Sequence, residues 1–243
     1  MKGVDRGGAT VLHNGTERGG AMIADNVRKV RSRIEAAARR SNRPAGGIEL
    51  LASTKGRSVE EIGEALAAGV RLIGENRVQE AARKFPELRG RASMQMIGHL
   101  QRNKVAEALR IFDLIHSLDR LRLAEEIERE AAKSGRLVPV LVEVNVSGEE
   151  HKFGVRPDEL PEFLAAVGRF ERLQVEGLMT MAPFSPDPER ARPVFRRLRE
   201  LAGRFADGPR LRMRHLSMGM TQDYEVAVEE GATIVRIGTA IFG

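Results

Sequence analysis

Cysteine and tryptophan are absent from this chain, and tyrosine occurs once. Without cysteine there can be neither a disulfide framework nor a thiolate metal site, which suits a reducing cytoplasm. With so few large aromatics, platforms for stacking nucleic-acid bases are scarce. No apolar run approaches the roughly 20 residues that a bilayer span requires. Residues 1–20 hold Gly, Arg and Thr but no apolar h-region, so neither a membrane segment nor a signal peptide is expected. HExxH, EF-hand and Walker patterns are missing, and His116, His151 and His215 show no ligand spacing. No metal is expected.

The mix of 42% hydrophobic and 30% charged residues is that of a soluble globular protein. The net charge of +6 raises the question of a nucleic-acid partner. The basic residues are mostly Arg interleaved with Glu, as in Arg28 to Arg40 and Arg190 to Arg204. That spread reads as solvated helix faces rather than a binding stripe, so no nucleic-acid partner is expected.

Residues 1–21 are Gly-rich and aperiodic and read as a disordered tail. The remainder, 22–243, reads as one domain. It begins with an amphipathic helix carrying Ile23, Val27, Val30, Ile34 and Ala37 or Ala38 on one face. Short apolar runs then alternate with helical stretches. The runs are Ile48–Thr54, Arg71–Ile73, Ser93–Ile97, Leu114–His116, Val138–Val146, Gln174–Met179, Arg212–Leu216 and Thr233–Ile237. Eight strands alternating with helices argue for an α/β fold, a single (β/α)8 TIM-type barrel with an extra N-terminal helix. A doubly wound open sheet is the rival, because three of the runs are short.

Polar residues or glycine stand just past nearly every run: Lys55, Gly74-Glu75-Asn76, Gly98-His99, His116-Ser117-Leu118-Asp119, Asn145-Val146-Ser147-Gly148, Met179-Thr180, Ser217-Met218-Gly219 and Gly238-Thr239. In a barrel these ends converge on the face where chemistry is done. Turns and helix caps need the same residue types, and Ser117 and Asp119 read as caps. Phosphate sites in barrels often use the loops after strands seven and eight, where Ser217, Gly219, Gly238 and Thr239 fall. Lys55 is one of seven lysines among forty basic residues. It is either a surface cation or an amine aimed into the barrel mouth as a nucleophile. His99 is either a loop histidine bonded locally or a residue facing that mouth.

Long segments extend this reading: LLASTKGRSVEEI around Lys55, GENRVQEA at 74–81, IGHLQRNK at 97–104, VEVNVSGEEHKFGV at 142–155, EGLMTMAP at 176–183 and the terminal HLSMGMTQDYEVAVEEGATIVRIGTAIFG. Over residues 22–243 the chain resembles the pyridoxal phosphate homeostasis proteins, whose fold is similar to the N-terminal domain of alanine racemase. The resemblance implies pyridoxal 5′-phosphate (PLP) as cofactor, held as an imine (a Schiff base) on Lys55. It implies a phosphate cup from Ser217 and Gly219 with Gly238 and Thr239. Arg236 would face the pyridine nitrogen, Asn76 and His99 would line the ring pocket, and Met218 would pack nearby. Departures from the commoner pattern are Met94-Gln95 for Trp-His, Arg77 for Tyr and Thr221 for Ser. They put ring-edge and rim contacts in question.

The chain ends at Gly243, just after the eighth strand. The second domain from which alanine racemase draws its catalytic tyrosine is therefore expected to be missing, and the one tyrosine here, Tyr224, falls at a helix start. What the resemblance implies is a cytoplasmic, monomeric PLP-binding protein of vitamin B6 and amino-acid homeostasis with little or no turnover. Amino acids or PLP-dependent apoenzymes would be its further partners. The alternative is a single-domain PLP-dependent amino-acid racemase.

Overall fold

Short apolar runs between amphipathic helices can bury both faces only in a parallel sheet covered by those helices. The computed structural model describes the backbone of residues 14–243 and the side chains of residues 21–243. Its strands are β1 (Glu49–Ser53), β2 (Leu72–Glu75), β3 (Ser93–Met96), β4 (Leu114–Leu118), β5 (Val138–Glu143), β6 (Leu173–Met179), β7 (Leu211–Ser217) and β8 (Ile234–Ile237). Each pairs in parallel with the next. β8 returns to β1 with Glu49 opposite Ile234 and Ala52 opposite Ile237, so the sheet closes in chain order. Closure rules out the open-sheet rival.

The helices are α1 (Asn14–Arg40), α2 (Val59–Ala67), α3 (Val78–Leu88), α4 (Val105–Ile111), α5 (Leu121–Ser134), α6 (Leu160–Val167), α7 (Arg192–Ala202), α8 (Tyr224–Glu229) and α9 (Thr239–Phe242). Their apolar faces meet the outward residues of the strands in one continuous core. Each large aliphatic side chain so buried contributes about 1.5–3 kcal/mol. α2 starts on a capping box: Ser58 accepts from the Glu61 amide, and the Glu61 carboxylate accepts from the Ser58 amide.

The expected N-terminal helix is present and longer than its apolar spacing indicates. It begins inside the segment read as tail, and residues 1–13 of that segment lie outside the described residues. Ile23, Val27, Val30, Ile34, Ala37 and Ala38 are all buried against the barrel. Asn26 Nδ2 donates to Ile241 O over 3.0 Å and Arg43 Nη2 to Ala232 O over 2.9 Å. These bonds fix α1 across the seam where β8 meets β1.

Three strand ends differ from the sequence reading by two residues or more. β2 runs on from Ile73 through Gly74 to Glu75. β4 continues past His116, where the run ended, through Ser117 to Leu118, so Ser117 belongs to the sheet and not to a loop. β5 stops at Glu143 instead of Val146, because Asn145 N donates to Val155 O over 2.9 Å and Val155 N to Glu143 O over 2.8 Å. The chain there folds back on its own loop and leaves the ladder.

Candidate functional site

Residues two apart on a strand share a face, so each inward apolar side chain fixes what stands above it in the barrel. Leu51, Leu114, Leu141, Met179 and Ile234, from five different strands, meet in a buried cluster with Leu72 and Ile97 against it. Such a meeting is possible only inside the barrel. Two positions further along stand Ser53, Gly74, His116, Glu143 and Arg236, a predominantly polar layer. Two further again come Lys55, Asn76 and Gly238, at the open C-terminal end of the strands.

The polar layer is bonded across the barrel. Arg236 Nη1 donates to Ser217 Oγ over 2.6 Å, and Arg236 Nη2 to Thr180 O over 3.0 Å. Ser217 Oγ lies 2.9 Å from His116 Nδ1, and His116 Nε2 lies 2.7 Å from Gln95 Oε1. With the guanidinium donating to the serine oxygen, the hydroxyl proton goes to Nδ1, and the imidazole proton sits on Nε2 facing Gln95. Burial, with Arg236 and His215 adding to it, holds the His116 pKa well below its ordinary value, which agrees with that neutral tautomer. Glu143, 4% exposed, has its carboxyl pushed up to about 7 by burial and by Asp119, with Arg236 opposing. Burial brings Arg236 down to about 10, against the pull of Glu143 and Asp223, so it stays charged at neutral pH.

At the open end, Lys55 lies with Asn76, His99, Gln101, Glu80 and Lys104 around a cavity of about 600 Å³. Lys55 is exposed, and no side chain among the described residues pairs with its ammonium. Asn76 Oδ1 is buried without a hydrogen-bond partner. His99 stacks on Phe153 with ring centroids 3.8 Å apart, and its Nδ1 is 3.3 Å from Asp119 Oδ2. Burial lowers its pKa although Asp119 opposes the shift. Gly98 is required here, since a Cβ on it would run into the backbone of Asn76.

Arg236, Gly238 and Thr239 line a second cavity of about 390 Å³ with Ser53 and Asp223. The end of β1 stands between the two spaces, with Ser53 on one and Lys55 on the other. Ser217, Met218 and Gly219 line neither; they are buried behind. Met218 N is taken by Ile234 O at 3.1 Å, whereas Gly219 N has no partner among the described residues. Gly219 has φ +94, and its Cβ would lie 2.5 Å from Ala227 Cβ, so α8 can sit on this turn only because the residue is glycine. The loops after β7 and β8 are joined by Arg236 N to Gly219 O at 2.9 Å and by Ala240 N to Thr221 Oγ1 at 3.3 Å.

The site residues read from the sequence thus fall into two groups, Lys55 with Asn76 and His99, and Arg236 with Gly238 and Thr239, backed by the 217–219 turn. The reading of Ser117 and Asp119 as caps is corrected. Helix α5 has Arg120 at its N-cap with no side-chain bond. Ser117 Oγ instead donates to Gly98 O at 2.7 Å, and Asp119 pairs with Arg120 and lies close to the His99 ring. Sequence reasoning missed His116 and Glu143 as members of the site and placed Gln95 at a rim. The signal that could have found them is the spacing of two beyond each inward leucine. What the arrangement offers chemically is a free amine, backbone N–H groups at two glycine loops, and a charged guanidinium on the floor beneath them.

A family profile described as the alanine racemase N-terminal domain matches residues 21–243. The chain is 44% identical over 220 residues to a pyridoxal phosphate homeostasis protein of Aquifex aeolicus, covering 90% of this chain and 96% of the relative. It is 41% identical over 229 residues to the protein of that name from Escherichia coli, covering 91% and 96%. Among solved structures it is similar to PipY of Synechococcus elongatus with PLP bound, at 35% identity and a TM-score of 0.76. That match covers 91% of this chain and 100% of the other.

Proposed function

This chain belongs to the pyridoxal phosphate homeostasis protein family, and we propose on that premise that it holds PLP at the open end of its barrel through the Lys55 amine. The observation that carries the reading is the gathering of Lys55, Asn76 and His99 around one cavity, beside the loops that end in Gly219 and Gly238-Thr239. Binding PLP calls for an amine for the aldehyde, donors for the phosphate and a partner for the ring nitrogen. Lys55 supplies the first: its nitrogen forms a C=N bond to the aldehyde carbon, and one water leaves. The N–H groups of Gly219, Gly238 and Thr239 supply the second, and Arg236 the third. Asn76 and His99 border the ring.

Arg236 also argues for a carrier with little or no turnover. A guanidinium that stays charged disfavours protonation of the ring nitrogen, and without that proton the ring delocalises a carbanion poorly. Tyr224, the one tyrosine, is 3% exposed in α8 and lines neither cavity, so it does not serve as an acid at the cofactor. In this reading the protein stores and releases PLP as a cytoplasmic monomer, exchanging it with amino acids and PLP-dependent apoenzymes.

The test is the absorption spectrum of the purified protein with PLP, followed by borohydride reduction and peptide mapping. The expected result is an imine band and a reduced adduct on the peptide containing Lys55. An adduct elsewhere, or none, would end the reading. Strong Lys55-dependent racemisation of alanine would replace the carrier with an enzyme.

A further inference from the structure

The side chain most deeply engaged near Lys55 is another lysine. Lys84, in α3, is 8% exposed, and its ammonium has three partners at 2.7 Å each: Thr54 O, Glu75 Oε1 and Glu80 Oε1. An ammonium has three protons to donate, so all of them are placed. Thr54 is bonded a second time, its hydroxyl donating to Glu75 Oε1 over 2.6 Å. On the other side of Lys55, Gly56 N donates to Glu80 Oε1 over 2.6 Å. Residues 54 and 56, the two neighbours of Lys55 in the chain, are therefore both tied to one cluster of charges on β2 and α3.

Each carboxylate has its own environment. Glu75 is 1% exposed, and burial raises its pKa in spite of Lys84 and Thr54. At Glu80 burial is outweighed by the bonds from Lys84 and the Gly56 amide, which hold its pKa below the ordinary value. Glu75 and Lys84 do not line the cavity, whereas Glu80 does. A buried ion pair of this kind adds little net stability over an apolar replacement, because desolvation offsets the attraction. Its consequence is positional.

The geometry points to Lys84, Glu75 and Glu80 as positioning residues for Lys55: a clamp on both flanking peptides that fixes where the reactive amine leaves the β1 end. This rests on the reading of Lys55 as the PLP-binding amine. A side chain with four rotatable bonds explores a wide volume, and anchoring its backbone narrows that volume to the cavity. Misplacement by about 1 Å is enough to slow a well-oriented reaction by orders of magnitude.

Glu80→Ala removes the Gly56 anchor at a partly exposed position and leaves Lys84 bonded to Glu75 and Thr54. Glu80→Gln keeps an oxygen that accepts from Gly56. With the full chain freed of cofactor and mixed with PLP, the rate of Lys55 imine formation is read by absorbance and by borohydride trapping. Glu80→Ala is expected to slow it about tenfold or more, with the circular dichroism spectrum unchanged, and Glu80→Gln is expected to restore most of the rate. Hydrogen exchange of the Gly56 amide without PLP gives a second readout, slow in the parent and in Glu80→Gln and fast in Glu80→Ala. Equal imine rates in the parent and Glu80→Ala would overturn the clamp, as would a Glu80→Gln protein as slow as Glu80→Ala. If the parent forms no adduct at Lys55 while Gly56 exchange responds as stated, the PLP reading fails and the anchor stands as structure alone.

Discussion

Arg236 donates from Nη1 to the Ser217 hydroxyl over 2.6 Å, joining β8 to β7 at the floor of the barrel. The hydroxyl in turn faces His116 Nδ1 at 2.9 Å, so both its oxygen and its proton are occupied inside the protein. The resemblance to known proteins assigned Ser217 to the phosphate cup. The bonding engages that hydroxyl inside the protein, whereas Gly219 N has no partner among the described residues, so in the proposed cup the backbone would be the donor.

Ser217→Ala is accordingly expected to act on stability first. It leaves His116 Nδ1 and a guanidinium N–H without a partner, at a cost of about 1–3 kcal/mol. A lower urea midpoint with an unchanged slope would register this. PLP affinity in the variant should change by less than about tenfold, the worth of one ordinary hydrogen bond. A loss much beyond that would mean that the hydroxyl leaves the internal chain to grip the phosphate.

Lys55→Ala separates covalent from electrostatic binding. A cofactor that binds only the folded state at a hundredfold excess over its Kd stabilises by roughly 2.7 kcal/mol. Thermal melts of the parent with and without PLP are expected to differ accordingly. In Lys55→Ala the shift should shrink and the imine band should vanish, while the melt without PLP stays close to the parent because the side chain is exposed. Identical PLP-induced shifts in the two proteins would remove Lys55 from the site.

Gly98→Ala tests how tightly the mouth is built. The added methyl meets the backbone of Asn76, which cannot move without carrying its side chain out of the cavity. Overpacking of this sort costs about 1–3 kcal/mol. Slower imine formation together with a lower melting temperature is expected. Normal imine kinetics would show that Asn76 is not needed where it stands.

The barrel was legible because parallel strands buried on both faces leave short apolar runs that turn residues bracket, and each of the eight runs became a strand. Lys55 and the Gly238-Thr239 pair were legible by position, since strand ends converge in such a fold. The internal chain from Gln95 through His116 and Ser217 to Arg236 was not. Its members come from β3, β4, β7 and β8, and nothing along the sequence tells residue 95 that residue 116 lies beside it. Glu143 reads as a polar residue inside the run Val138–Val146, and only closure of the barrel turns it inward. The Lys84 clamp was invisible for a simpler reason: a lysine on an amphipathic helix is ordinarily solvated.

Glu143 supplies a prediction with a definite sign. Its folded-state pKa, about 7, is raised by burial and by Asp119 against the pull of Arg236, whereas an unfolded glutamate titrates near about 4.3. Between those values the folded protein holds a proton that the unfolded chain has released. Stability therefore falls as pH rises through this window and levels off above it, by on the order of 3–4 kcal/mol. Glutamine cannot titrate, so Glu143→Gln should escape the fall. Urea unfolding of cofactor-free protein should give variant and parent similar stability near about pH 4.5, with the variant pulling ahead up to about pH 7 and holding its lead beyond. Other titrating groups, His116 among them, are common to both proteins and drop out of the difference. A difference that stays flat with pH would mean that Glu143 titrates as it would in water and that the floor of the site is wet.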